Sequence, residues 1–179
     1  NPTVAAAVKR GRKVAHAIEN DSKTQDKATN AVLKEMRKIM GSIEVTAKET
    51  PLIYDDIYWG KADLVGIYDG ALVIADNKSI NKPMPIGRNG LPRLSSYKKY
   101  ALQVTAYAKA HNRLFDTDIE TGLLYVVEGD GTKELTSRTI EINIDDYWDE
   151  WMYRVQDFYQ RQSILKQREL AFFTRRIKF

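Results

Sequence analysis

The sequence predicts an α/β fold: a central mixed β-sheet with helices packed against it. Two apolar strand-like runs, residues 56–67 and 71–78, meet at Asp69-Gly70, a strong hairpin signal. Three segments carry apolar residues at helical spacing, at 3–20, 24–40 and 97–114. With the remaining alternating and aromatic runs, the element order is α-α-β-β-β-α-β-β-α.

Residues 3–20 form the first predicted helix, with Val4, Val8, Ala15 and Ile18 on one stripe and His16 beside it. The second covers 24–40, where Ala28, Ala31, Val32, Glu35, Met36 and Ile39 share helical spacing. Gly41 is placed to end it as a C-terminal cap, with Arg37 and Lys38 in the last turn. Residues 43–49 alternate as a strand before the hairpin. In the hairpin's second strand Leu72 to Ala75 is continuously apolar, so it is predicted to be buried. Residues 79–97, with three prolines, Gly87 and Gly90, read as one long loop, of the kind that is usually functional or disordered. The helix 97–114 puts Leu102, Gln103, Ala106, Tyr107, Ala110 and Leu114 on one face. Strands follow at 122–128 and 137–144, separated by the Gly129-Asp-Gly131-Thr turn. A terminal helix over 145–170 is capped by Asp145 and has Trp148, Trp151, Val155 and Phe158 as its core face.

At 179 residues the chain reads as a single domain, with a core over about 8–165 and a basic, aromatic tail at 171–179. It has no cysteine, which excludes disulfides, zinc-thiolate sites and thiol catalysis. No apolar run reaches a membrane span, and Asn1 to Arg12 has no signal-peptide pattern, so an intracellular, non-membrane protein is expected. Asn1 stands where an initiator methionine would be, which suggests a trimmed sequence. The net charge of +4 is compatible with an anionic partner without specifying one. Its distribution says more. Lys82, Arg88, Arg93, Lys98 and Lys99 form one basic stretch, and Lys9, Arg10, Arg12 and Lys13 another. Either alone reads as a solvated face. Two of them flanking an acidic cluster point towards a nucleic-acid path.

That cluster is Asp63, Asp76 and Lys78. Alternation along the second hairpin strand puts Asp76 and Lys78 on one face and Asn77 on the other, with Asp63 meeting them from the partner strand. Such charges at the end of a buried hairpin are costly unless an ion is bound there. The two carboxylates are hard oxygen ligands suited to Mg²⁺ or Mn²⁺, and the Asn77 carbonyl can add a third. A protonated Lys78 beside them can orient a water or stabilise charge on a phosphate. Metal, lysine and basic flanks together suit phosphodiester hydrolysis. The plain alternative is a surface salt bridge. Gln103 and Tyr107, four apart on one helix face, supply polar groups that a purely structural helix does not need, although a buried hydrogen bond would also use them.

Gly60-x-x-Asp63, Asp76-x-Lys78 and Gln103-x-x-x-Tyr107, in this order, resemble the PD-(D/E)XK nuclease superfamily. The glutamine-tyrosine motif resembles its RecB-type branch, and Gly11…His16 resembles that branch's glycine-histidine motif. The run Asn77-Lys-Ser-Ile-Asn-Lys-Pro-Met-Pro and the helix Leu102 to Asn112 extend the likeness to mitochondrial and phage-encoded exonucleases. The resemblance implies a restriction-endonuclease-like core with helices on both sides of the sheet. It implies that Asp63, Asp76 and the Asn77 carbonyl hold the metal with His16 beside it, and that Lys78 activates or orients the water. Gln103 and Tyr107 would position the lysine or the DNA. A further metal-binding glutamate is expected at Glu49, with Glu44 second. Two departures stand out. Gly11 lies five residues before His16, one more than the usual spacing, and Asn77 fills a position that is often apolar.

The function expected from this likeness is Mg²⁺- or Mn²⁺-dependent exonuclease action on DNA, preferably single-stranded with a free end. Its setting would be replication, recombination or genome processing in a bacterium or phage-infected host. Loop 81–99 would contact phosphates through Lys82, Arg88, Arg93, Lys98 and Lys99, joined by Arg10 and Arg12. Trp59, Tyr97, Tyr100 and Tyr107 would offer stacking surfaces, with core packing as the alternative. The rival readings are an endonuclease of the same fold and a non-catalytic DNA-binding module.

Overall fold

The computed structural model describes residues 2–176, with side chains from 5 to 167. The chain runs α1 (Pro2–Glu19), α2 (Lys27–Met40), β1 (Glu44–Tyr54), β2 (Tyr58–Tyr68), β3 (Ala71–Ile80), α3 (Leu94–Phe115), β4 (Thr121–Glu128), β5 (Thr136–Asn143) and α4 (Asp145–Arg176). This is the expected order. The strands make one five-stranded mixed sheet, β1-β2-β3-β4-β5, antiparallel except for the central β3–β4 pair. A parallel pair needs a long crossover, and α3 supplies it.

Each face of the sheet buries its own core. On one side Ile74, Leu124, Val126 and Ile142 meet Ala101, Val104 and Ala108 of α3. On the other Val73, Ala75, Leu123 and Tyr125 meet Val14, Ile18, Val32 and Met36 of α1 and α2. Helices therefore cover both faces, as the α/β reading requires. Because β3 and β4 are covered on both sides, their sequences read as apolar runs without alternation. The β2–β3 turn has φ of 48° at Asp69 and 79° at Gly70, the pair of left-handed residues typical of a tight hairpin.

Several boundaries differ from expectation. β1 continues past Pro51 to Tyr54, which an edge strand tolerates because one side of its backbone has no ladder to complete. The 79–97 loop shrinks at both ends, since β3 runs to Ile80 and α3 begins at Leu94, and an Ile86–Pro92 bridge folds what is left. Gly41 does follow α2, but in right-handed conformation at φ −62°, so it is not the left-handed cap. α2 starts at Lys27, with Asp26 as its side-chain cap. The start of α4 is capped by Asn143, whose Oδ1 accepts the Asp145 N–H at 3.0 Å; Asp145 is itself helical. Phe158 and Leu114 are exposed, not core, while Trp148, Trp151 and Val155 are half-buried. The side chains of the 171–179 tail lie outside the described residues.

Candidate active site

The hairpin register sets the site. Leu64 pairs with Ala75, so the next step along the ladder brings Asp63 level with Asp76. The Asn77 N–H, at that end of the ladder, donates to Asp63 Oδ2 at 3.0 Å. Lys78 Nζ lies 2.6 Å from Asp76 Oδ2, and the Asp76 carboxylate is fully buried. Apart from this ion pair, neither Asp76 oxygen has a hydrogen-bond partner among the described residues. Burial pushes the Asp76 carboxyl up to about 7, the Lys78 charge opposes this, and the nearby Asp63 adds to it. Burial also raises Asp63, against its bond from Asn77 and the charge of Lys78. For Lys78, burial pulls the ammonium down, but Asp76 and Asp63 outweigh it and leave the pKa raised. The lysine is thus a fixed cation at neutral pH and not a free base.

From α3, Gln103 Nε2 donates to the Tyr107 hydroxyl at 2.9 Å. The edge of the Tyr107 ring abuts Gly60: a Cβ there would stand 2.4 Å from Tyr107 Cε1 and 3.3 Å from Cδ1 and Cζ. This ties the glycine of Gly60-x-x-Asp63 to the tyrosine of the helix motif. Gly60→Ala is accordingly expected to displace Tyr107, costing about 1–3 kcal/mol as an overpacked contact and lowering any activity. Denaturant unfolding checks it, and wild-type stability would show that the ring can move freely. Lys78 also lies 5.2 Å above the Tyr100 ring, with Lys99 at 4.6 Å. Tyr100 therefore braces the lysines and is half-buried, as are Tyr97 and Tyr107, which pack against the α3-side core. Of the aromatics expected to stack on bases, Trp59 is free to do so, at 84% exposed.

Two expected metal ligands are not brought to this group. The His16 side chain is 76% exposed and contacts Asn20 and Glu19 of its own helix end. A cleft of about 450 Å³ runs between α1 and the end of β3, lined by Asp63, Asn77, Lys78 and Ser79 on the sheet side and by Val8, Gly11, Arg12 and Ala15 on α1. His16 shares a helix face with Arg12, one turn before it, but does not line that cleft. Glu49, at φ 50° on β1, is held by an ion pair to Lys61, although Asp63 feels its charge. Glu44 is exposed at the opposite end of β1, across from Ile67. Among the described residues no three His, Cys, Asp or Glu side chains gather into a metal-binding group.

The basic residues divide as well. Arg12 lines the cleft, and Lys82, Arg88, Arg93 and Lys99 are exposed. Lys98 is instead paired with Glu150 of α4 at 2.6 Å, and Arg10 donates to the Asp130 carbonyl at 3.1 Å. One residue was not singled out by the sequence. Glu128, buried at the end of β4, accepts the Met84 N–H at 3.2 Å and the Arg138 guanidinium at 3.1 Å, anchoring the basic loop where it leaves β3. The only signal was a lone acid closing an apolar strand.

No family model matches the chain. Mitochondrial genome maintenance exonuclease 1 of Mus musculus is 31% identical over 116 residues, which is 64% of this chain and 32% of that protein. The Homo sapiens protein of the same name is 26% identical over 122 residues, 66% of the chain and 33% of that protein. The Xenopus tropicalis protein is 22% identical over 151 residues, 82% of the chain and 42% of that protein. The chain thus spans about a third to two-fifths of the curated relatives it matches. The crystal structure of a candidate exonuclease from Eubacterium rectale superposes with a TM-score of 0.62 at 16% identity, covering 87% of this chain and 65% of that one. Among the described residues no helix is long and apolar enough to cross a membrane. The chain is therefore similar in sequence, over part of its length, to the mitochondrial genome maintenance exonucleases, and its α/β fold superposes on that of a candidate exonuclease.

Proposed function

We propose that the chain is a metal-dependent DNA exonuclease acting on single strands with a free end. The observation that carries this reading is the convergence of Asp63, Asp76 and Lys78 at the end of the β2–β3 hairpin, backed by Gln103 and Tyr107. The donors fit a hard divalent cation. Two carboxylates and the Asn77 carbonyl are all oxygen, and Asp76 Oδ1 has no hydrogen-bond partner among the described residues. A set of only two carboxylates suits Mg²⁺, which keeps several waters and shares its remaining positions with substrate phosphate. When bound, the cation supplies Lewis-acid activation of the phosphodiester and of a water.

The chain's own groups do the rest. Lys78, charged and fixed against Asp76 and Tyr100, is placed to stabilise the charge that develops on the phosphate and to orient the attacking water. Tyr107, locked by Gln103 and Gly60, holds the α3 side of the site in place. Arg12 and the exposed Lys82, Arg88, Arg93 and Lys99 attract the backbone.

Digestion of end-labelled DNA with Mg²⁺ or Mn²⁺ tests the reading. Linear single strands should be degraded from an end, circular single strands should survive, and duplex should be cut more slowly. Cutting of the circle would make the enzyme an endonuclease of the same fold. Binding without any cleavage would make it a non-catalytic DNA-binding module.

A further inference from the structure

The polar strip of α3 is longer than the Gln103–Tyr107 pair. Lys99, Gln103 and Tyr107 are spaced by four, so they form one row along the helix, with Tyr100 beside it. Around the row Ala101, Leu102, Val104, Thr105 and Ala106 are buried. The Tyr107 end of the row abuts Gly60 of β2, and the other end carries Lys99, which is exposed. Between them the Tyr100 ring holds two ammonium groups. Lys78 Nζ is 5.2 Å from its centroid and Lys99 Nζ is 4.6 Å from it.

Sharing one ring at these distances puts the two ammoniums within about 10 Å of each other, where like charges repel. Lys78 is compensated by Asp76 at 2.6 Å. Lys99 has no acidic partner among the described residues, although Lys98 and Lys109 of the same helix are paired with Glu150 and Asp145. The ring that braces Lys78 thus also holds a second, open cation beside it. Such a pair suits a ligand with more than one negative charge. A nucleic-acid strand carries one on every nucleotide, so a phosphate at Lys78 brings the next within reach of Lys99.

We propose that Lys99, set on the Tyr100 ring, binds the phosphate adjacent to the one that is cut. This deepens the exonuclease reading and rests on it. The contact fixes the register of the strand: with the neighbouring phosphate held at Lys99, the scissile one stands at Lys78. The exposed Arg88 on the basic loop attracts the strand by charge alone and sets no register.

The test is Lys99→Ala on linear single strands with Mg²⁺. Its kcat/KM should fall about tenfold, carried by KM, and the slope of log affinity against log salt should drop by about 0.7. Lys99→Arg, which keeps the charge, should recover most of the loss. Strands with a single uncharged methylphosphonate linkage then locate the contact. On one side of the linkage that is cut, as read from product length, the neutral linkage should cost wild type about tenfold and cost Lys99→Ala nothing further. Several linkages away, it should leave the difference between the two proteins intact. In Arg88→Ala, the contrast, the two losses should add. A Lys99→Ala protein that keeps the wild-type KM, or whose loss adds to that of every neutral linkage, overturns the assignment while leaving cleavage by the wild type as evidence for a nuclease. Wild-type protein that cuts no single strand with Mg²⁺ would instead sink the exonuclease reading, and the Lys99 contact with it.

Discussion

Lys78→Ala should reduce Mg²⁺-dependent degradation of linear single-stranded DNA by about 10³-fold in kcat, the scale of removing one preorganised charge from a transition state. The lysine sits 2.6 Å from Asp76 and has a raised pKa, so the variant loses a permanent cation and not a titrating base. Its loss has a second effect. Lys78 is the main group holding Asp76 down, so the carboxyl moves further up and cation binding weakens. KM should rise alongside the fall in kcat, and more Mg²⁺ should restore part of the first but not the second. End-labelled digestion across a Mg²⁺ series separates the two. A variant cutting at the wild-type rate would remove Lys78 from the chemistry and leave Asp76 as a structural acid.

The metal-free protein should become less stable as pH rises towards neutrality. Asp76 titrates at about 7 in the fold against an ordinary value of 3.8 for an aspartate in water, so the folded state binds the extra proton. Its contribution is fully present below pH 3.8 and is lost as pH climbs through about 7. Asp63 is shifted in the same direction and reinforces the trend. The loss is on the order of a few kcal/mol. Added Mg²⁺, which needs ionised carboxylates, should therefore raise Tm more at pH 8 than at pH 5. Asp76→Asn should flatten both the pH dependence and the Mg²⁺ response. Thermal unfolding with EDTA and with Mg²⁺ across this range reads the effect directly. A metal-free Tm that stays level from pH 5 to 8 would mean that Asp76 is already ionised when buried.

The site's centre was legible because it lies in one hairpin and one helix face. Asp69-Gly70 fixes the turn, the turn fixes the register, and the register puts Asp63 beside Asp76 without reference to the rest of the molecule. Gln103 and Tyr107 were legible by helical period alone, and they bond as that period suggests. What failed depends on relations between elements. His16 lies beside the apolar stripe of α1, but which residues face the sheet depends on how the helix docks, and Arg12 and Ala15 take that position. Glu49 was placed by distance along the chain, which does not reveal its left-handed backbone or its capture by Lys61. Lys98 read as one of a basic run until α4 brought Glu150 to it. Glu128 and Arg138 were invisible for a similar reason: their pairing requires the β4–β5 register and the path of the loop.

The single parallel pair in the sheet determines how transferable the site is. On one side β3 is held by its hairpin partner, and on the other by β4, which the chain reaches only after the basic loop and the whole of α3. A piece cut between Ile80 and Thr121 would turn the strand that carries Asp76 and Lys78 into an open sheet edge, with unpaired backbone groups and its carboxylate released to water. The hairpin that is so easily recognised in the sequence is therefore not a portable module. Moving this chemistry to another scaffold means moving the crossover and β4 with it.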